Sequence, residues 1–253
     1  MTSKPAPTLH HLTESQSIRI LFALEELSLL HNQPYNLKVY NRVKGRAPGE
    51  LKNLFPLGKS PILEIPPTTS VTDPELRHFS TSPDPNTDRT IVTESRLILH
   101  YLANNYAGNL WTPTAEDEAR DAYFQDFAMC TLASITERIL IFDLIPQVTP
   151  FLFRPITWTI FYPFARMFKK DLEGPFTLME NCLSESKEWF SGQKIGIADF
   201  CMMWPMDVAE QRGWFDETKY PKIMGWLKRI RGKEAYKIAV EKSGGYDLKT
   251  FGM

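Results

Sequence analysis

Short apolar runs of strand character occur only ahead of Pro113 in this chain of 253 residues, and behind it every apolar pattern has helical spacing. Alternation at period two describes a strand with one face on a core, whereas apolar positions three and four apart describe a helical stripe. A chain divided in this way predicts an α/β half followed by an all-helical half. The first half reads as strand 8–12, helix 18–30, strand 34–40, short helix 50–55, a strand from Ile62, a strand over 89–92 and a helix over 94–106. Glu25 and Glu26 fall on the outer side of the first helix. The third and fourth strands are joined by an elongated hairpin, whose 66–88 insertion is rich in Pro, Thr, Ser and Asp, a surface composition. Behind Pro113 the spacing predicts one long helix over 115–142 and others over 173–190, 198–211, 222–230 and 234–242. The boundary falls near Ala107-Gly108-Asn109, which gives domains 1–107 and 113–253.

Composition narrows the function classes. With 43% apolar and 23% charged residues the chain is an ordinary globular one, and a net charge of -1 gives no reason to expect nucleic acid. Cys130, Cys182 and Cys201 are odd in number, widely spaced and outside any C-x-x-C pair. That speaks against a disulfide framework, a zinc site and a dithiol redox enzyme. No apolar core follows Lys4, so no signal peptide is predicted and a cytoplasmic location is expected. The aromatic-rich stretch 151–168 is interrupted by Arg154, Pro155, Pro163 and Arg166, so a buried, proline-broken segment is expected rather than a membrane span. Association with a membrane surface is the alternative, with few basic residues behind it.

Candidate chemistry gathers where elements begin. In Gly58-Lys59-Ser60-Pro61 a proline opens the third strand; lacking an N–H, it fits the first residue of a strand but not the interior. The X–Pro bond is the one peptide bond that becomes cis at low cost. A cis bond at Pro61 would turn the Ser60 N–H and C=O outward to meet an extended peptide; an ordinary loop-to-strand junction is the alternative. Ser15 and Ser17 precede the first helix, where hydroxyls cap free main-chain donors. Glu94 and Ser95 open another helix, where main-chain donors hold a carboxylate well. His10 and His11 are neighbours on a strand, so one is expected to face in and one out. Neither has a Cys or Asp partner at metal spacing, and structural roles are expected.

These motifs resemble those of cytosolic glutathione S-transferases. Ser15-Gln16-Ser17-Ile18-Arg19 follows the first strand as the family's serine-bearing turn does, and Gly58-Lys59-Ser60-Pro61 resembles its cis-proline loop. Thr93-Glu94-Ser95-Arg96 resembles its Glu-Ser helix start, and Ile195-Gly196-Ile197-Ala198-Asp199-Phe200 the helix-start box of its helical domain. The motifs stand in the family's order along essentially the whole chain, closest to fungal-type transferases with serine in place of tyrosine. Gly196 stands where the box usually has Ser or Thr, and the 66–88 insertion is longer than the family's hairpin.

The resemblance implies a thioredoxin-like α/β N-terminal domain, an all-α C-terminal domain, glutathione as co-substrate, no metal, and a homodimer. It implies that the Ser15 hydroxyl stabilises the glutathione thiolate, with Ser17 as runner-up because a shift in the helix start would exchange them. Lys59, Ser60, Pro61, Glu94 and Ser95 would bind glutathione, Glu94 by pairing with the α-ammonium of its glutamyl group. Lys59, Lys52 or Arg42 would meet its glycine carboxylate, and Arg19 matches a helix-one arginine whose alternative is an ion pair. An apolar second substrate would lie between the domains, lined by 151–168 and by Tyr123, Phe124 and Phe127, unless these are core. The implied reaction joins the thiolate to an apolar electrophile, in detoxification or secondary metabolism. A glutathione-dependent cis–trans isomerase and a non-catalytic glutathione-binding regulator are the alternatives. A disulfide reductase is disfavoured, since no cysteine lies in the first half.

Overall fold

A computed structural model describes residues 6–66 and 90–249 of the chain. The chain divides into two compact units, Met1–Thr112 with Arg231–Tyr246, and Pro113–Ile230 with Asp247–Met253. This differs from domains 1–107 and 113–253, because the stretch 231–246 groups with the α/β half. The 66–88 insertion lies outside the described residues except for Pro66.

The first unit runs β1 (Thr8–Leu12), α1 (Ile18–His31), β2 (Asn36–Tyr40), α2 (Glu50–Leu54), β3 (Ile62–Ile65), β4 (Thr90–Thr93) and α3 (Ser95–Leu102). The sheet has the order β2-β1-β3-β4, with β2 parallel to β1 and with β3 antiparallel to both β1 and β4. A parallel pair needs a crossover, and α1 supplies it. Because β1 lies inside the sheet and both its faces are covered, His10 and His11 are both fully buried, contrary to the expectation of one in and one out. His10 stacks on Tyr40 beside the Leu51–Ile62–Ile91 cluster under α2. Its Nδ1 lies 2.9 Å from the Tyr40 hydroxyl and its Nε2 3.2 Å from Glu64 Oε2.

Glu25 and Glu26 are buried as well, which corrects their expected outward placement. Helix α10 (Glu234–Lys242) packs along α1. It sets Lys242 Nζ 2.8 Å from Glu25 Oε1, and Lys233, just ahead of it, places Nζ 2.8 Å from Glu26 Oε1. Phe22 meets Tyr236 edge to face in the same seam. Burying a carboxylate is costly unless it is paired, and these lysines supply the pairing.

The second unit is helical: α4 (Glu118–Asp126), α5 (Ala133–Val148), α6 (Arg154–Lys170), α7 (Glu173–Cys182), α8 (Ile197–Gln211) and α9 (Pro221–Gly232). The long helix predicted over 115–142 is α4 and α5, joined through a π-helical turn at Phe127–Leu132. The helix predicted over 173–190 ends at Cys182. Phe124 and Phe127 are buried in the core of this unit, Phe124 against Phe190 with ring centres 4.8 Å apart, while Tyr123 is exposed. The stretch 151–168, expected to be buried, is instead largely exposed. It forms most of α6, with Pro155 in the first turn, where a missing N–H costs nothing, and Pro163 inside. Only one side of α6 packs on α5.

The start of α8 explains why glycine replaces the usual cap residue. A Cβ on Gly196 would come within 2.7 Å of Ser191 Cβ, so no hydroxyl-bearing side chain fits. Asp121 on α4 reaches across instead. Its Oδ1 accepts the Ala198 N–H at 3.0 Å, the bond a serine cap would make, and the Ser191 hydroxyl at 2.5 Å. Asp199 closes the turn from inside the helix. Its carboxylate accepts from the N–H groups of Gly196 (3.0 Å), Phe190 (2.8 Å) and Ser191 (3.3 Å) and from Trp226 Nε1 (2.8 Å).

Candidate functional site at one edge of the sheet

Strand register decides which sequence motifs meet. His10, in the middle of β1, pairs with Ile62 at the start of β3, so the C-terminal half of β1 runs past that start, and Ile62 also pairs with Thr93 at the end of β4. The residues after β1, before β3 and after β4 therefore share one edge of the sheet. Those residues are Ser15 and Ser17, Ser60 and Pro61, and Glu94 and Ser95.

The turn between β1 and α1 is held from two sides. The Thr13 N–H donates to the Tyr40 carbonyl at 3.0 Å, and the Glu14 N–H donates to the Gly245 carbonyl at 3.4 Å. Arg42 donates to the carbonyls of Thr13, Glu14 and Gly45, each at 3.2 Å. Its guanidinium thus clamps the turn, a different task from the glycine-carboxylate contact the sequence suggested. Gly244 adopts φ +77°, and a Cβ there would sit 3.0 Å from Val39 and 3.3 Å from Thr13. The close approach of 243–245 to the turn needs that glycine. Its signal in the sequence is the Ser243-Gly244-Gly245 run just past the last helix.

Within the turn, the Ser15 hydroxyl donates to the Leu12 carbonyl at 2.7 Å and accepts the Ser17 N–H at 3.2 Å. Its oxygen lies 2.8 Å from Ser17 Oγ, which lies 2.7 Å from His11 Nδ1. Neither serine caps α1 through its side chain, which corrects the expected capping role. Ser17 is fully buried, whereas Ser15 keeps 7% of its surface. The two serines that the sequence left interchangeable are thereby distinguished: Ser15 alone keeps a small exposed area, and Ser17 is the link between it and His11. The sequence assigns His11 only a structural role on the first strand; its bond to Ser17 is seen in the fold alone.

Burial lowers the His11 pKa from 6.5 to about 4, against an upward pull from the main chain at Ser243 and Ser17, so its ring is neutral at neutral pH. An unfolded histidine takes up its proton near pH 6.5, and the folded one resists until about pH 4. Between these values the unfolded state binds more protons, so stability falls as the pH is lowered. The expected loss through this group reaches about 3 kcal/mol. Urea denaturation of the parent and of His11→Gln at neutral and mildly acid pH checks this. The variant should show a flatter dependence, and equal slopes would mean that the ring is not held neutral by burial.

The Ser60–Pro61 bond is cis. The Ser60 hydroxyl donates to the His10 carbonyl at 2.8 Å and accepts the Leu12 N–H at 3.1 Å, so its side chain is committed to β1. Among the described residues nothing pairs with its main-chain N–H or C=O. Glu94 is exposed, at φ +67°, and Ser95 is buried at the first position of α3. A non-glycine residue in that region is strained, and such strain gathers at functional sites. Lys59 and Lys52 are both exposed, the Lys52 stem lying over Gly58.

Residues 15–105 match the family described as glutathione S-transferase, N-terminal domain, and residues 169–234 match glutathione S-transferase, C-terminal domain. Over 96% of its length the chain is 32% identical to glutathione S-transferase 3 of Schizosaccharomyces pombe, covering 90% of that protein. It belongs to the glutathione S-transferase family. The transferase is also 25% identical to glutathione S-transferase 1 of Saccharomyces cerevisiae, over 95% of this chain and 97% of that protein. Among solved structures it is similar to a glutathione S-transferase from Actinobacillus pleuropneumoniae, with 27% identity, a TM-score of 0.66 and coverage of 97% of this chain and 96% of that one. The thioredoxin-like sheet and the all-helical unit of the transferase are those of the family fold.

Proposed function

We propose that this edge of the sheet holds glutathione and that the Ser15 hydroxyl keeps its sulfur as a thiolate for attack on an apolar electrophile. Three segments, 15–17, 60–61 and 94–95, converging on one edge carry this reading. The Ser60 main chain, leading into Pro61, pairs with the extended tripeptide. The start of α3, with the Ser95 hydroxyl, receives the glutamyl carboxylate, and exposed Glu94 takes the α-ammonium. Lys59 or Lys52 meets the glycine carboxylate; Arg42, committed to three carbonyls, does not.

The thiolate is the nucleophile, since the thiol itself is unreactive. Moving a thiol from a pKa of about 8.5 to about 6.5 needs roughly 2.7 kcal/mol of preferential stabilisation. A hydroxyl bonded to an anion contributes roughly 1.5–3 kcal/mol, and the start of a helix about 0.3–1 kcal/mol. Ser15 turns its proton from the Leu12 carbonyl to the sulfur and stays neutral, while the thiol proton leaves to solvent. Ser17, fixed by His11 and bonded to Ser15, orients the donor. Attack forms a carbon–sulfur bond and expels the leaving group with the electrons of its bond to carbon.

Retention on immobilised glutathione, together with loss of free glutathione in the presence of a generic aryl halide, tests the proposal. Both are expected. Failure of both removes it, and turnover of a conjugated alkene without loss of glutathione would replace conjugation with isomerisation.

A further inference from the structure

The side of α6 turned away from α5 is apolar where solvent favours charge. Ile156, Ile160, Phe164 and Met167 follow one another at helical spacing and are 59%, 51%, 46% and 51% exposed. The turn ahead of the helix, Phe151-Leu152-Phe153, is 83%, 76% and 54% exposed. Arg166 and Lys170, four residues apart, line the neighbouring side of this stripe. Between residues 144 and 170 there is no Asp or Glu, while Arg154, Arg166, Lys169 and Lys170 are all cationic. Lys169 is paired with Asp143, and Arg154 bonds the carbonyls of Thr149 and Gln147. Arg166 and Lys170 are exposed or nearly so and form no ion pair among the described residues.

We propose that this surface docks on an anionic lipid bilayer. The 151–153 turn and the apolar stripe enter the headgroup boundary, and Arg166 and Lys170 face the lipid phosphates. An apolar stripe with aromatics and a cationic margin is the composition of a helix that lies in a membrane interface. Among the described residues no helix is long and apolar enough to cross a membrane, so α6 lies on the bilayer rather than through it. A second copy of the chain fits this patch less well. A two-fold contact places the same patch on both sides. It would gather Arg166 and Lys170 of both copies into one interface, with no carboxylate between residues 144 and 170 to offset them.

Co-sedimentation of the full chain with phosphatidylcholine vesicles, and with phosphatidylcholine vesicles carrying phosphatidylserine, tests this. Binding is expected only to the second and should be released by salt. Leu152→Asp/Ile160→Asp and Arg166→Glu/Lys170→Glu should each weaken it by roughly tenfold or more. Both pairs change exposed side chains, and an unchanged melting temperature verifies that each variant is folded. No binding at low salt overturns the proposal, as does equal binding to both vesicle types. A dimer in sedimentation equilibrium that Leu152→Asp/Ile160→Asp splits into monomers overturns it as well, because the surface is then covered by a second copy.

Discussion

Replacing Ser15 by alanine is expected to lower kcat/KM for glutathione conjugation by roughly ten- to a hundredfold. It should also raise the pH midpoint of activity by about one to two units. Both follow from losing one hydroxyl–anion bond of roughly 1.5–3 kcal/mol, at about 1.4 kcal/mol per pKa unit. The bond matters more once the sulfur is charged than before, so kcat/KM should fall without comparable loss of glutathione affinity. Ser17→Ala leaves the donor in place but cuts its link to His11 at 2.7 Å, and a smaller, several-fold loss is expected. Rate against pH, with the ultraviolet absorbance of the bound thiolate, separates the two. Should Ser15→Ala keep its rate and midpoint while Ser17→Ala loses both, the roles are exchanged.

The second large effect is on stability. Asp199→Ala removes the acceptor of four donors, the N–H groups of Gly196, Phe190 and Ser191 and the Trp226 indole, in a fully buried site. Leaving a buried donor unpaired costs about 1–3 kcal/mol. If admitted water relieves half of these, a loss of about 2–6 kcal/mol is expected. Asp199→Asn should recover little, since its amide keeps one acceptor oxygen and turns an NH2 group toward donors that need an acceptor. Urea midpoints at constant slope measure both, and a change under about 1 kcal/mol would mean that the carboxylate does not hold the α8 start.

How much of this could be read in advance follows from which forces are local. Strand alternation and helical spacing placed β1 at 8–12 and α1 from residue 18 because one element's period is written in its own residues. Glu25 and Glu26 were misread because the lysines that pair with them stand more than two hundred positions away. The 151–168 stretch was misread in the opposite direction, since aromatic content alone does not say whether a face meets protein or solvent. At the site, Ser15, Ser60 and Glu94 were legible as element starts, but their shared edge depends on strand register. The division of labour between Ser15 and Ser17 rests on one buried ring, that of His11, whose place no spacing rule gives. Gly196 stands where the family's box usually has Ser or Thr; Asp121, seventy-five residues earlier, supplies the missing bond.

The arrangement of 231–246 has a consequence for how the molecule is made. A ribosome delivers β1 to α3 first, yet the lysines that pair with Glu25 and Glu26 and the carbonyl that receives the Glu14 N–H lie in 231–246, more than a hundred residues beyond α3. Until 231–246 is made, the nascent first half carries two carboxylates without their lysine partners, and the β1–α1 turn is held by Tyr40 and Arg42 without Gly245. Completion of the α/β unit therefore awaits synthesis of 231–246, so that unit closes only after the helical stretch 113–230 has been made.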